Sequence, residues 1–153
     1  MHKRPNFLMI VCDQERYDIL GANGSQVCRT PNLDRLAAEG MRFTGCFTPT
    51  AICSPARASL LTGVYPHRHG MLNNCHGDDA VLTELPAALT TFSEVLAKAG
   101  YRLGYVGKWH VGLHQGPESR GFQDVVSPPT ISPPQKGSRP PYNPSMLVFQ
   151  TTG

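Results

Sequence analysis

Short apolar runs alternate along the chain with helical patterns and polar loops. Residues 6–12 read N-F-L-M-I-V-C, a continuous apolar run typical of a strand buried on both faces of a parallel sheet. Residues 41–47 and 101–106 have the apolar character of two further strands. A last strand-like piece, M-L-V-F-Q, lies at residues 146–150.

Three stretches between these strands carry helix signals. Pro31 suits the first position of a helix that Gly40 ends. Thr91 and Glu94 have the spacing of a capping box, and a further short helix is predicted at residues 55–62. A glycine follows each of these two helices as well. The order of strand, helix, strand, helix and strand predicts an α/β sheet with crossover helices.

The region after these elements is rich in proline. Residues 128–144 contain seven prolines in seventeen positions. Proline has no backbone N–H, so neither a helix nor a central strand is expected there. The segment is predicted to be a long ordered loop over a surface or a linker.

Composition and charge exclude several classes of protein. The chain has 153 residues, 40% of them hydrophobic, which is enough for a core and argues against disorder throughout. Only 16% are charged, and 15 glycines and 14 prolines are far too many for a coiled coil or helical bundle. The net charge of +3 has no basic cluster behind it, so we expect no nucleic-acid partner.

No membrane association is expected either, because the sequence contains no run of about 18 apolar residues. The N-terminus lacks the longer apolar stretch and the small-residue cleavage site of a signal peptide. The chain as given is therefore expected in the cytoplasm, unless its targeting segment is absent from it.

The five cysteines are odd in number and form no C-x-x-C pair, which favours reduced thiols over a disulfide framework or a zinc ribbon. Four of them, Cys12, Cys28, Cys46 and Cys75, are expected to be small buried hydrophobes. Cys53 is the exception.

Cys53 opens the segment C-S-P-A-R. Ser54 is predicted to cap a helix whose first turn Pro55 fixes, which would place Cys53 just before the helix N-terminus. Free N–H groups there favour an anion, and Arg57 lies within reach in the first turn. From the residues alone, a buried, inert cysteine beside a solvent-facing arginine is the plainer interpretation, because a lone cysteine is usually inert.

Chemically versatile residues also follow two predicted strands. Asp13 and Gln14 come directly after the first strand, and Lys108 and His110 follow residues 101–106. Open α/β sheets bind ligands at such strand ends. A carboxylate suits a hard cation, and the Gln14 carbonyl can ligate Ca²⁺ without adding charge. Lys108 and His110 would share a face if extended, although a lysine packed beside the neighbouring tryptophan is the plainer interpretation.

Two motifs resemble a known family. Residues 53–63, C-S-P-A-R-A-S-L-L-T-G, match the sulfatase signature, and residues 107–112, G-K-W-H-V-G, resemble the second sulfatase signature. Asp13 stands where that family keeps its first metal ligand. Two intervening stretches also look like the family, residues 31–37 and residues 65–67. The chain is identified as a member of the sulfatase family over about residues 4 to 125.

The resemblance implies an α/β fold, the N-terminal part of an alkaline-phosphatase-like sandwich with a mostly parallel central sheet. Residues 4–125 would be the N-terminal part of the sulfatase catalytic domain. Residues 126–153 would be the proline-rich loop and the start of a truncated continuation. The sheet is expected to be incomplete and to have exposed edges.

The resemblance also implies a reaction. In such enzymes the signature cysteine, here Cys53, is oxidised to formylglycine, whose hydrate attacks the sulfur of a sulfate monoester. The second hydroxyl then helps to expel sulfate as the aldehyde re-forms, which is covalent catalysis in two steps. By the same resemblance Arg57 stabilises the modified side chain, Lys108 contacts sulfate oxygens, and His110 hydrogen-bonds the formylglycine hydroxyl.

A divalent cation belongs to this chemistry, with Ca²⁺ expected first and Mg²⁺ or Mn²⁺ as alternatives. Asp13, Gln14 and the modified residue 53 are its implied ligands. Most sulfatases have two acidic residues where this chain has Asp13 and Gln14. No Asp-His or Asp-Asn pair follows residue 112, so these ligands are too few and little activity is expected of these 153 residues alone.

The expected partners are a small-molecule or carbohydrate sulfate ester and a maturation enzyme, either formylglycine-generating or anaerobic. Two alternatives to a sulfate ester hydrolase remain open. One is a phosphonate or phosphate ester hydrolase of the same superfamily. Some relatives that act on choline sulfate or phosphonate esters also have a glutamine where this chain has Gln14. The other is a non-catalytic truncated remnant.

Overall fold

The computed structural model of the protein describes residues 4–126 and, for its backbone alone, residues 145–151. The chain divides into two compact units, residues 14–47 and the residues on either side of that segment. The proline-rich segment predicted at residues 128–144 lies outside the described residues.

A four-stranded sheet forms the framework of the larger unit. Its strands are β1 (Phe7–Val11), β2 (Tyr101–Val106), β3 (Asp124–Val126) and β4 (Ser145–Thr151), in the order β1-β4-β2-β3. β2 and β3 are parallel, whereas β4 pairs antiparallel with both β1 and β2. Three of the four strands therefore run in one direction, which agrees with the mostly parallel sheet expected from the sequence.

The core lies against one face of β2. Burial alternates along this strand, with Tyr101, Leu103 and Tyr105 buried and Arg102 exposed, as the two-residue period of a strand requires. The buried hydrophobic residues that pack with β2 come from segments on both sides of it: Ala58, Leu61, Met71, Cys75, Leu85, Trp109, Val111 and Phe122.

β1 differs from the prediction that it is buried on both faces. Phe7, Leu8 and Ile10 keep 46 to 61% of their surface exposed. β1 is an edge strand of the described sheet, with β4 as its single neighbour. An edge strand has a partner on one side only, which leaves more of its apolar surface open than in a central strand.

The smaller unit contains the first helix, α1 (Pro31–Glu39), as predicted. Two short 3₁₀ turns, Tyr17–Ile19 and Gly21–Asn23, precede it. The side chain of Asp34 in α1 accepts hydrogen bonds from the Ala22 N–H at 2.7 Å and the Thr30 hydroxyl at 2.9 Å, which secures the preceding loop.

The strand predicted at residues 41–47 is wrong. This segment contains no strand and has a turn at Thr44 and Gly45. Met41, Phe43 and Phe47 are largely exposed. The apolar pattern alone could not make a strand here, because a strand also needs a hydrogen-bonding partner.

Three helices belong to the larger unit: α2 (Cys53–Thr62), α3 (Pro66–His69) and α4 (Phe92–Lys98). The capping box of α4 is confirmed, with the Glu94 N–H donating to the Thr91 side chain at 3.4 Å. The Glu94 carboxylate in turn accepts from the Thr91 N–H at 2.8 Å. No helix of the described residues is long and apolar enough to cross a membrane.

α2 begins two residues earlier than predicted. Ile52 is its N-cap, and its first helical bond runs from the Ala56 N–H to the Ile52 carbonyl at 2.9 Å. Ser54 is therefore not the cap, and Cys53 is the first helical residue instead of the residue before the helix. Pro55 costs no hydrogen bond at the third position, since the first N–H groups of a helix have no partner within it.

The expectation that four cysteines are buried hydrophobes holds for Cys75 alone. Cys12 and Cys46 are exposed and Cys28 is partly buried. Cys12 directly follows an edge strand and Cys46 lies in a loop, so neither reaches a core. All five cysteines are free thiols, as their odd number indicated.

Arg120 is a buried charge that holds the loop before α4. It is only 4% exposed and donates to the carbonyls of Leu85 at 2.5 Å, Pro86 at 3.0 Å and Leu89 at 3.0 Å. It also lies 3.5 Å from the Glu94 carboxylate. Arg120→Met would leave these acceptors without their donor, so we expect a loss of about 2–4 kcal/mol in the free energy of unfolding, measured in urea.

Arg102→Met is the matched control for this substitution. Arg102 pairs with Asp124 at 2.6 Å, but both side chains are more than half exposed. Exposed ion pairs add little to stability. Equal destabilisation by the two substitutions would contradict the structural role assigned to Arg120.

His69 is a buried neutral imidazole. The Met71 N–H donates to its Nδ1 at 3.1 Å, so its proton lies on Nε2 and donates to the Ser59 hydroxyl at 3.0 Å. Burial lowers the pKa of His69 below its ordinary value. The unfolded chain therefore binds more protons at mildly acid pH, and His69 lowers the free energy of unfolding as pH falls below about 6.5.

We expect His69→Gln to reduce this acid destabilisation between about pH 7.5 and pH 5.5, measured by urea unfolding at each pH. His114→Gln is the control, because His114 is exposed and is not among the groups that lower the pKa of His69. An unchanged pH dependence in His69→Gln would show that this imidazole is not held neutral by the fold.

Candidate active site

The start of α2 is anchored to the segment at Asn74 and Cys75. The Ser54 N–H donates to the Asn74 side-chain oxygen at 3.1 Å, and the Ser54 hydroxyl accepts from the Cys75 N–H at 3.1 Å. Asn74 thus satisfies one of the free N–H groups at this helix end. These two bonds fix the position of the neighbouring Cys53.

The loop after β2 is attached to α2 through the Lys108 carbonyl. The Arg57 guanidinium donates to this oxygen at 2.7 Å, and the Tyr105 hydroxyl donates to it at 2.5 Å. Arg57 is 8% exposed, so its charge is held inside the protein and does not face solvent. Trp109 packs edge-on against Tyr105, with ring centroids 5.3 Å apart, and its indole N–H donates to the Gln115 carbonyl.

Glu84 secures the far end of the same loop. Its carboxylate accepts from the backbone N–H groups of Leu113 at 3.1 Å, His114 at 2.6 Å and Gln115 at 3.3 Å. A bond from the adjacent Leu85 N–H to the loop at 2.8 Å adds a main-chain connection. Both ends of the loop that carries Lys108 and His110 are therefore fixed.

Asp13, Cys53 and Lys108 converge at one point. The Lys108 ammonium lies 2.7 Å from one Asp13 carboxylate oxygen, and the Cys53 sulfur lies 3.6 Å from the other. The three residues come from the end of β1, the first turn of α2 and the loop after β2. The structure thus brings together a thiol, a carboxylate and an ammonium group that are far apart in sequence.

The Asp13 carboxyl is held in its ionised form. Burial by itself would raise the pKa of Asp13, but the hydrogen bond and charge of Lys108 outweigh it. The charge of Arg57 and the Cys53 contact act in the same direction, so the pKa of Asp13 lies below its ordinary value.

His110 lies in the same loop but does not share an extended face with Lys108, as the sequence had suggested. Its φ angle is +62°, in the left-handed region that non-glycine residues rarely adopt. Its Nε2 lies 2.5 Å from Nδ1 of His76. Its Nδ1 is buried and has no hydrogen-bond partner among the described residues.

His110 is neutral at physiological pH. Burial is the largest cause that lowers its pKa to about 3, and the charge of Lys108 comes second, with smaller contributions from His76 and Arg57. Asp13 opposes them only weakly. The neutral ring can therefore donate one hydrogen bond and accept another, but it carries no charge.

Gln14 directly follows Asp13 and is exposed, with a φ angle of +57°. It is the first residue of the smaller unit. Its proposed role as a metal ligand stays a prediction.

Sequence reasoning missed three residues of this site: Asn74, His76 and Glu84. Asn74 and His76 lie in a turn without any periodic pattern, and Glu84 resembles an ordinary surface glutamate in sequence. The N-N-C-H run at residues 73–76 is a dense polar segment, and it was the one available signal.

A hard cation fits the chemistry of this site in part. Asp13 provides carboxylate oxygens, the ligand type that Ca²⁺ and Mg²⁺ prefer, and residue 53 lies beside one of them. Such cations take about six or more oxygens, so the remaining ligands have to come from outside this pair.

Comparison with known proteins shows the family of this chain. The sulfatase family model matches residues 5–149 of the chain. Arylsulfatase G of Homo sapiens is 44% identical over 124 residues, which cover 78% of this chain and 23% of the relative. Steryl-sulfatase of Rattus norvegicus is 39% identical over 142 residues, which cover 84% of this chain and 24% of the relative.

Solved structures give the same result. BT4656 in complex with its substrate D-glucosamine-2-N,6-O-disulfate has a TM-score of 0.69 and 32% identity, over 80% of this chain and 23% of that one. Ps i-CgsB in complex with a neocarrahexaose has a TM-score of 0.68 and 34% identity, over 76% of this chain and 26% of that one. The chain spans about a quarter of the length of the curated relatives it matches.

The role of Glu84 can be tested directly. Glu84→Gln removes the charge and one of the two acceptor oxygens that bind the loop. We expect amide hydrogen exchange at residues 113–115 to become about fivefold faster, the equivalent of one weakened hydrogen bond. Glu118→Gln, at an exposed glutamate, is the control and should leave exchange there unchanged. Equal exchange rates in the two variants would refute the role of Glu84.

Proposed function

Because the chain belongs to the sulfatase family, we propose that it carries the nucleophile of a sulfate ester hydrolase, formed by oxidation of Cys53 to formylglycine. The observation that supports this best is the convergence on Asp13, whose two carboxylate oxygens lie 3.6 Å from the Cys53 sulfur and 2.7 Å from the Lys108 ammonium. The matched residues make up about a quarter of the length of these relatives, so the activity of a whole sulfatase is itself part of the proposal.

The charge of the site favours an anionic substrate. Arg57 and Lys108 bring two positive charges, Asp13 brings one negative charge, and His110 is neutral. The N-terminus of α2 adds the positive end of the helix dipole, which also favours an anion. The site is therefore positive on balance, as binding of a sulfate group requires.

Each side chain has a distinct part in this proposal. Residue 53 supplies the attacking oxygen once it is modified, and Lys108 contacts the sulfate oxygens. His110 is the proposed hydrogen-bond partner of the modified residue. Arg57 keeps the Lys108 loop against α2 through the Lys108 carbonyl and adds positive charge nearby.

The family uses a formylglycine and a divalent metal, and we propose Asp13, Gln14 and residue 53 as ligands from this chain, with Ca²⁺ as the ion. When bound, such a cation would neutralise oxygen charge and lower the pKa of the attacking hydroxyl. Asp13 is prepared to hold a cation because it is already ionised.

We further propose a carbohydrate or aryl sulfate monoester as the substrate and a formylglycine-forming enzyme as a partner. The supporting facts are the names of the relatives, which include arylsulfatases, and a related structure that contains a sulfated glucosamine. No described residue selects between these two classes of ester.

Modification of Cys53 is the direct test. Cleavage after Arg42 and Arg57 releases peptide 43–57, which contains both Cys46 and Cys53. After co-expression with a maturation enzyme, we expect this peptide to be about 18 Da lighter, because CHO replaces CH₂SH. Fragment ions should place the change at residue 53.

Cys46 is an internal control within that peptide, because it is exposed but does not lie at a helix start. Cys53→Ala should give a peptide without any loss of 18 Da. A thiol that stays unmodified at residue 53, in cells that modify another sulfatase, would count against the proposed function.

A further inference from the structure

A second group of metal-binding side chains lies beside the candidate active site. Cys75, His76 and His110 each offer one ligand atom, and these atoms all lie within 4.8 Å of one another. Cys75 is buried, His110 is partly buried and His76 is exposed. No motif in the sequence indicated this group, because His110 is 34 residues from His76.

The local chain aims these groups at one point. Cys75 and His76 lie in a turn closed by a hydrogen bond from the Gly77 N–H to the Asn74 carbonyl at 3.1 Å. In a turn, unlike a strand, adjacent side chains can point to the same side. The bond from the Cys75 N–H to the Ser54 hydroxyl fixes the turn against α2.

The ring of His110 lies against this turn, with its centroid 4.3 Å from that of His76. Its left-handed backbone, which costs energy in a non-glycine residue, directs its ring to His76. The two ring nitrogens are 2.5 Å apart, close enough to share one proton. Two imidazole nitrogens directed at the same point can also bind one metal ion.

We propose that Cys75, His76 and His110 form a binding site for a thiophilic transition metal ion such as Zn²⁺. A thiolate and two imidazoles are typical zinc ligands, and an oxygen-seeking ion such as Ca²⁺ would not select them. Tetrahedral geometry with bonds of about 2.0–2.3 Å needs ligand atoms about 3.3–3.7 Å apart. The two nitrogens must separate by about 0.8 Å, which exposed His76 can do by side-chain rotation.

The binding step balances with one proton. The Cys75 S–H bond breaks, its sulfur binds the ion, and the proton leaves to solvent. Each imidazole binds through one nitrogen and keeps its single proton on the other nitrogen. Water completes the fourth position, as in zinc sites with three protein ligands.

A metal ion bound to Cys75, His76 and His110 would also affect catalysis, and this consequence rests on the proposed function. An ion bound to His110 would engage the ring that we propose as a partner of residue 53. Zn²⁺ would then inhibit hydrolysis. The binding test is therefore designed to need no activity.

Cobalt is the probe, because Co²⁺ replaces Zn²⁺ and absorbs light. Titration of the full chain with Co²⁺ should give one ion per chain that has a sulfur-to-cobalt charge-transfer band in the near ultraviolet. Zn²⁺ should remove the band by displacement, whereas excess Ca²⁺ should leave it unchanged. Loss of the band on addition of Ca²⁺, or binding without a sulfur band, would overturn the proposal.

Variants assign the ligands. Cys75→Ala should abolish the charge-transfer band, and His76→Ala should weaken binding at least about tenfold. His76 is exposed, so this variant should fold even if loss of the buried Cys75 thiol disturbs the core. Full-affinity binding in His76→Ala would refute the site.

Two matched controls separate this site from other groups. His114→Ala removes an exposed histidine of the same loop, and Cys53→Ala removes the neighbouring thiol. Both should keep the band and the affinity. The result for Cys53→Ala does not depend on whether Cys53 is ever modified to formylglycine. Failure of the proposed function and failure of the metal site can therefore be distinguished.

Discussion

The hydrogen bond from the Arg57 guanidinium to the Lys108 carbonyl, at 2.7 Å, connects the two halves of the candidate site. It joins the helix that starts at Cys53 to the loop after β2. A buried guanidinium must have acceptors, since an unsatisfied charge in the interior is costly. The need to satisfy Arg57 therefore fixes the backbone at Lys108. This carbonyl also accepts from Tyr105, so the loop is bound both to α2 and to its own strand.

The position of Lys108 determines the charge state of the groups around its side chain. Its ammonium reaches Asp13 at 2.7 Å, which brings the end of β1 into the site. Its charge also contributes to the low pKa of His110 and to the ionised state of Asp13. One residue therefore keeps a carboxylate charged and helps to keep an imidazole neutral. Glu84 maintains this arrangement by binding the other end of the loop.

The elements with local signals could be predicted from the sequence, and those that depend on distant partners could not. The capping box at Thr91 and Glu94 and the strand at residues 101–106 have signals in the local sequence, and both are confirmed. Residues 41–47 have the pattern of a strand, but no strand among the described residues pairs with them. Pro55 was placed at the start of α2 because proline favours that position, yet proline costs equally little in the third.

The candidate site likewise has features that the sequence could predict and features that depend on distant partners. The resemblance indicated Asp13, Cys53, Arg57, Lys108 and His110, and the structure places the thiol of Cys53 and the ammonium of Lys108 on the two oxygens of Asp13. The resemblance could not indicate that His110 faces His76. This contact depends on the left-handed backbone of His110 and on a turn 34 positions away in sequence. Asn74 and Glu84 act through backbone N–H groups, which have no sequence signature.

Electrostatics explains why a soft ion, if bound, needs the thiol of Cys75. The charges of Lys108 and Arg57 already disfavour a proton on His110, and they would disfavour a divalent ion for the same reason. Two neutral imidazoles cannot offset that repulsion, whereas a thiolate brings a full negative charge to the ion. Burial raises the pKa of the Cys75 thiol, so the thiolate forms only when a cation compensates its charge. Selectivity for a thiophilic ion would then follow from the cationic surroundings as much as from the ligands.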